Sequence, residues 1–291
     1  MRDLEPTIRS RELGDGLRQA IERAQFNGKR LAAHLGWSES HVSRLLTGRR
    51  SAQDVEVSAI LAVCGVTGAE RERLLKLCKD QRTRSWFQQF GSRLPAQIRT
   101  YIDHENKAST VIDYQPLVVP GILQTDAYAR ALFERSGTVP PHEIDDRVVA
   151  RAGRRTLFSR SRRPKCNFFI HEFVLRLPVG GDEVMSEQLH TLLSMSVRPY
   201  INIRVIPAAF GAHAGLAGSF ILLESDAYRS VVYLEGETSG VFLEKPDEVS
   251  AYRSIIKELF SAALEEAESK ELIATVAIDL YGDREGQHDH A

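Results

Sequence analysis

Cysteine is scarce in this chain: Cys64, Cys78 and Cys166 are the three in 291 residues. They are too few and too scattered for a disulfide framework. Cys64 and Cys78 fall on apolar faces of expected helices and read as buried reduced thiols. A zinc site would need neighbouring ligands, and none stand beside them. Long apolar runs are also missing, so no membrane-spanning segment is expected. The opening MRDLEPTIRS lacks the apolar core of a signal peptide. These absences predict a cytoplasmic chain that does not touch a membrane.

Catalytic signatures are missing as well. No G-x-S-x-G occurs, and His171-Glu172 has no second histidine at the helical spacing of a zinc protease. The stretch GAHAGLAGS at 211–219 lacks the lysine and the strand-to-helix setting of a phosphate loop. Glu235, Glu237 and Glu244 fit paired carboxylates and, as readily, simple alternation along two strands, and His213 reads as a loop hydrogen-bonder rather than a catalyst. No nucleophile, base and orienting group can be assembled, so no catalytic, cofactor-binding or metal-binding residue is expected. The small residues of 211–219 suit a pocket wall or a contact surface, because they permit close backbone approach.

Net charge is close to nil, with 38 basic and 39 acidic residues, but the two signs are unevenly placed. Residues 1–100 hold 18 Lys and Arg against 11 Asp and Glu, whereas the remainder holds 20 against 28. A basic first third fits a polyanionic partner, and an acidic remainder does not. The length leaves room for about two domains, and 43% hydrophobic residues suffice for real cores.

Residues 26–50, FNGKRLAAHLGWSESHVSRLLTGRR, carry the most specific pattern. Asn27 can cap a helix whose inward face is Leu31, Ala32 and Leu35, and Gly36 supplies a left-handed turn. Ser38 caps a second helix in which Val42, Leu45 and Leu46 share one stripe. The opposite face carries Glu39, Ser40, His41, Ser43 and Arg44. Two such helices hide their apolar sides on each other and leave one polar helix exposed, of a size for the major groove of B-DNA. Expected helices at LGDGLRQAIERAQF, QDVEVSAILAVCG and GAERERLLKLCKD complete a five-helix unit. The signature LAxxLGxSxSxVSR, met from Leu31 to Arg44 and followed by Gly48, resembles the Cro/repressor-type (Xre) helix-turn-helix family over about 13–80. Many members place Gln at the first turn of the earlier helix to hold a phosphate. Gly28 stands there instead, so that contact falls to Lys29, Arg30 or backbone amides. The residues expected at DNA are therefore Lys29, Arg30, Ser38, Glu39, Ser40, His41, Ser43, Arg44, Thr47, Arg49 and Arg50.

Beyond Asp80 the pattern predicts helical segments over 81–137, with Trp86, Phe87, Phe90, Leu94 and Ile98 as an apolar seam between domains. A helix is expected from Thr125 and another from Pro141 to about Arg160. Arg147 to Lys165 holds eight basic residues and no acidic one. It reads as a face that meets acidic groups of its own domain or a partner, ahead of a second DNA contact. After Pro164 the period turns to two. KCNFFIHEFVLRL, INIRVIP, GSFILLE, SVVYLE and GVFLE predict strands, with a helix through Val184 and Leu189 between the first two. A helical stretch from Pro246 to about Glu268 precedes a shorter one to Thr275.

QPLVVPGILQTDAYARALF at 115–133 resembles the "PGLLQT…YA" segment of a domain of unknown function found behind a helix-turn-helix in actinobacterial regulators. RLPVGG at 176–181, QLHTLL at 188–193, INIRVIP at 201–207, GAHAGLAGSFILLE at 211–224 and VVYLE at 231–235 follow in the same order. That family is similar to developmental regulators encoded beside a very small partner protein in a toxin–antitoxin-like arrangement. The resemblance implies a repressor tuned by such a partner.

The expectation is an α+β chain: a helix-turn-helix domain at 1–82, a mixed regulatory and dimerisation domain at 83–283, and a disordered tail at 284–291. It would act as a homodimer on a near-palindromic duplex operator at the nucleoid, since one helix reads too few base pairs to select a site. A one-component regulator with a small-molecule pocket is the alternative, and an enzyme with a DNA-targeting module stands third.

Overall fold

The computed structural model describes residues 8–80, 94, 96–226 and 229–281. Expectations on 81–93 and on the tail, including Trp86, Phe87 and Phe90, lie outside those residues. Contacts divide the chain into two compact units, Met1–Ser85 and Trp86–Ala291.

The first unit holds five helices among its described residues: α1 (Ile8–Arg23), α2 (Gly28–Leu35), α3 (Glu39–Leu46), α4 (Asp54–Val63) and α5 (Gly68–Asp80). Its core draws Leu13, Leu17 and Ile21 from α1, Leu31 from α2, Val42 and Leu45 from α3, Ile60 and Leu61 from α4, and Leu74 and Leu77 from α5. Each helix contributes one stripe, which is why none could stand alone. The crossing of α1 over α3 is close at Gly14, where a Cβ would stand 2.0 Å from the carbonyl oxygen of Leu46. Only glycine fits there.

The second unit contains α6 (Ala96–Glu105), then a six-stranded sheet with its helices. The strands are β1 (Thr110–Gln115), β2 (Lys165–His171), β3 (Ile201–Ile206), β4 (Phe220–Glu224), β5 (Val231–Glu235) and β6 (Gly240–Leu243), in the order β3-β2-β1-β4-β5-β6. β1, β2 and β3 are parallel, while β4, β5 and β6 continue the sheet antiparallel from β1. Helices α7 (Asp126–Arg135) and α8 (Ile144–Arg154) fill the connection from β1 to β2. Helices α9 (Glu172–Arg176) and α10 (Asp182–Ser196) fill the next. Parallel strands need such crossovers, and burial on both faces follows from them. On one face Ile112, Tyr114, Phe169, Phe220, Leu222 and Val232 form a cluster with Val249, Ile256 and Leu259 of α11 (Pro246–Ala262). The chain is thus α+β, as expected.

Three expectations need correction. The helical reading of 81–137 hid β1, the strand at the centre of the sheet. Four consecutive buried residues, Val111 to Tyr114, show no alternation, so the period of two that marks half-buried strands is absent. The strand expected over 165–177 ends at His171, whose Nδ1 accepts the Phe173 amide and caps α9. The last helix also breaks earlier, between α11 and α12 (Glu266–Tyr281), and α12 runs well past Thr275.

Candidate nucleic-acid interface

Asn27, Gly36 and Ser38 set the geometry of α2 and α3. The Asn27 side chain accepts from the Arg30 amide at 2.8 Å, and Gly36 closes α2 with φ 67°. Ser38 Oγ accepts from the His41 amide at 3.2 Å, which satisfies a donor that the first turn of α3 would leave bare. With Val42 and Leu45 buried, the outer face of α3 is fixed by helical geometry.

Lys29, Arg30, Ser38, Glu39, Ser40, Ser43, Thr47 and Arg49 are exposed, and His41, Arg44 and Arg50 are half-buried. Some of these side chains already have work within the domain. Thr47 Oγ1 donates to the Ser43 carbonyl at 2.8 Å and closes α3. Arg30 Nη1 donates to the Gln25 carbonyl, and its guanidinium lies 5.4 Å from the Phe26 ring centre. Arg44 Nε is buried and unpartnered among the described residues.

His41 and Arg50 are joined through a residue that the sequence reading did not single out. Arg50 Nη1 donates to His41 Nδ1 at 3.1 Å, and Arg50 Nη2 donates to Glu56 Oε1 at 2.6 Å. His41 Nε2 lies 3.0 Å from the same carboxylate oxygen. Glu56 Oε2 accepts the Gln53 amide at 2.8 Å, so the carboxylate also starts α4. Glu56 is 9% exposed, which strengthens its charge interactions relative to a surface pair. Trp37 covers His41, with ring centres 4.9 Å apart. The only signal in the sequence was the position of Glu56 three residues after the residue that precedes α4. The result is an exposed polar helix whose flank is held by the contacts among Glu56, Arg50 and His41.

In the second unit, the 115–133 motif is explained by hydrogen bonds that tie a loop to three helices. Gln124 Nε2 donates to the Val119 carbonyl at 2.7 Å, and Gln124 Oε1 accepts from Arg151 Nη1 at 2.6 Å. Gln188 of α10 accepts the Thr125 amide at 2.8 Å and donates to the Leu123 carbonyl at 2.9 Å. Thr125 caps α7 through the Tyr128 amide, and Tyr128 Oη accepts the Val119 amide at 3.3 Å.

Six of the eight basic residues of the run meet carboxylates or amides of their own unit. Arg154 meets Glu105 at 2.6 and 2.8 Å and Tyr101 Oη at 2.8 Å. Arg147 meets Glu143, Arg155 meets Asp126, Arg160 meets Asn106 and Arg162 meets Asp226. Beneath the Arg154 pair, burial raises the Asp113 carboxyl to about 7, against the opposing hydrogen bond from Gln115. His213 Nδ1 accepts the Gly215 amide at 3.1 Å, the loop role read for it. Among the described residues no three His, Cys, Asp or Glu converge as a metal site, and no helix is long and apolar enough to cross a membrane.

Two family models match the chain. One, described as a helix-turn-helix domain, covers residues 12–74. The other, described as a domain of unknown function (DUF5753), covers residues 98–275. No curated protein matches, and no solved structure matches. A helix-turn-helix is a DNA-binding module, and its match falls on the helices that carry the exposed polar face.

Proposed function

The chain belongs to the family of the domain of unknown function DUF5753, with a helix-turn-helix in front of it, and on that premise we propose a sequence-specific repressor of transcription. The observation that carries this reading is the Ser38-capped helix α3, whose exposed face presents Glu39, Ser40, Ser43 and the half-buried His41 and Arg44. In the proposed complex, Glu39, Ser40, His41 and Arg44 approach base edges in the major groove. Ser38, Thr47, Lys29, Arg49 and Arg50 hold phosphates, and Arg30 and Ser43 stand at the margin. Glu56 keeps His41 and Arg50 in one arrangement before DNA arrives, which lowers the ordering cost of binding.

The protein works as a homodimer on a near-palindromic operator in the cytoplasm, at the nucleoid, with half-sites roughly 34 Å apart. The DUF5753 domain receives a small cognate protein that tunes operator affinity, as in the Xre-type, toxin–antitoxin-like regulators that the sequence resembles. Its effect requires different affinities for the DNA-competent and DNA-incompetent states, and a coupling of about 1–3 kcal/mol changes operator affinity roughly 5–150-fold. Selection of duplexes from a random pool, followed by titration with the small protein encoded beside this chain, tests both parts. A pool that converges on no site ends the repressor reading. Operator affinity unmoved at saturation ends the partner reading alone.

A second reading, a regulator that senses a small molecule directly, is favoured by a cleft of about 290 Å³ in the second unit, beside the 214–219 loop.

A further inference from the structure

β3 and β4 follow one another along the chain but stand three positions apart in the sheet. The connection 207–219 therefore crosses the carboxyl ends of β2 and β1, a span of about 14 Å at the usual strand spacing. Its own contacts hold it there. The Ala208 amide donates to Glu172 Oε2 at 3.0 Å, the Gly215 amide to His213 Nδ1 at 3.1 Å, and the Gly218 amide to the Gly215 carbonyl at 3.2 Å. Gly215 lies so close to β1 that a Cβ on it would stand 2.7 Å from the Tyr114 ring. What the segment does not bury, it presents outward. Leu216 is 66% exposed and Phe210 49%, and Phe173, in α9 just beyond β2, is 46% exposed. Large apolar side chains gathered at one end of a sheet mark a contact surface.

Charge narrows what can cover it. No Asp, Glu, Lys or Arg occurs from 207 to 219, beyond β3, or from 115 to 125, beyond β1. Residues 101–291 as a whole hold 20 Lys and Arg against 28 Asp and Glu, so two copies repel where acidic surface meets acidic surface. At this end of the sheet they do not. Depletion of charge is also what sets the core of a protein interface apart from the remaining surface.

The cleft of about 290 Å³ opens beside Leu216, with Ala217 and Gly218 on its rim and Phe220, Leu234, Tyr252 and Ile255 as its apolar wall. Leu216 lies between lining residues but is not part of the lining, so its side chain stands outside its own cleft. An exposed apolar knob next to an apolar hole is self-complementary, because a two-fold axis between them places each knob in the other's hole. We propose that this end of the sheet joins two copies of the chain, with Leu216 of each copy entering the cleft of the other and Phe210 and Phe173 packing around it. A small ligand would fill the cleft and leave those three side chains in water, whereas a second copy covers both. The proposal rests on the homodimer reading above and gives that dimer its contact.

Sedimentation of the full chain should show a dimer whose dissociation constant rises about 30-fold or more in Leu216→Asp, the effect of losing a central anchor. Ala217→Trp, which fills the cleft from its exposed rim, should weaken the dimer as much. Circular dichroism of both variants should match the parent, since both positions are exposed. An equimolar mixture of the two should recover part of the dimer. One Leu216 and one open cleft then face each other across the axis, whereas neither variant alone has such a pair. Val197, 76% exposed between α10 and β3, lies at the opposite end of the sheet, and Val197→Asp should leave the dimer intact. A dimer that withstands both Leu216→Asp and Ala217→Trp overturns this contact and leaves the homodimer reading standing. A monomeric parent overturns both. No recovery in the mixture, or an equal loss from Val197→Asp, overturns the contact as well.

Discussion

Arg44 and Arg49 carry the same charge a few residues apart, yet different consequences are expected from removing them. Arg44 leaves from α3 itself and is half-buried, whereas Arg49 is exposed beyond its end. Arg44→Ala should cost about 1–3 kcal/mol on the selected operator and little on random duplex, as a guanine contact would. Arg49→Ala should weaken both alike and reduce the salt dependence by about one phosphate contact. Anisotropy titrations on both duplexes at several salt concentrations decide this, and equal losses for the two variants would sink the division of roles. Glu56→Gln removes the charge that Arg50 and His41 share, and it should reduce the ratio of operator to random affinity. An unchanged ratio would make Glu56 a helix-capping residue only. At Asp113, the carboxyl is raised from its ordinary value of 3.8 to about 7, so the folded state binds the proton more tightly than the unfolded state. Its contribution therefore turns against stability as pH rises from about 4 to 7, and stays so above. Asp113→Asn should melt with the parent near pH 4 and above it at pH 8, a difference that thermal scans across pH would show.

Elements in this protein meet at points where side chains are missing or fully engaged. The α1–α3 crossing has no space for a methyl group at Gly14, against the backbone of Leu46. Gly14→Ala should lower the stability of the first unit by about 1–3 kcal/mol, the usual cost of overpacking, although alanine suits a helix better than glycine. Operator affinity should fall with it, because the displaced element carries Arg44. Chemical denaturation followed by anisotropy on the same sample separates the two effects, and a stabilised variant would show that α1 and α3 can part freely. Caps and turns of α2 and α3 were legible in the sequence, since Asn27, Gly36 and Ser38 act on neighbours within three or four residues. β1 was not, because Ile112 and Tyr114 are buried against α11, and its antiparallel partner β4 likewise lies more than a hundred residues away.

For the whole molecule, the decisive quantity is the number of recognition helices brought to one operator. Sedimentation at micromolar concentration should show a dimer, and shortening the operator to one half-site should reduce affinity by orders of magnitude. A monomer that binds one half-site at full affinity would contradict the symmetric arrangement.

The sequence by itself determined what depends on near neighbours and on composition: the helix-turn-helix, its caps, its polar face and the concentration of positive charge in the first third. It also showed the later strands β3, β4, β5 and β6 through their apolar runs and turns. Only tertiary structure decided which charges are free. Arg147, Arg151, Arg154, Arg155, Arg160 and Arg162 looked like one basic surface, yet each is matched to a carboxylate or amide of its own unit. The same holds for Glu56 beside His41 and Arg50. Periodicity reports which face of an element is apolar, but the partner of a buried polar group lies where folding brings it, at separations no local pattern encodes.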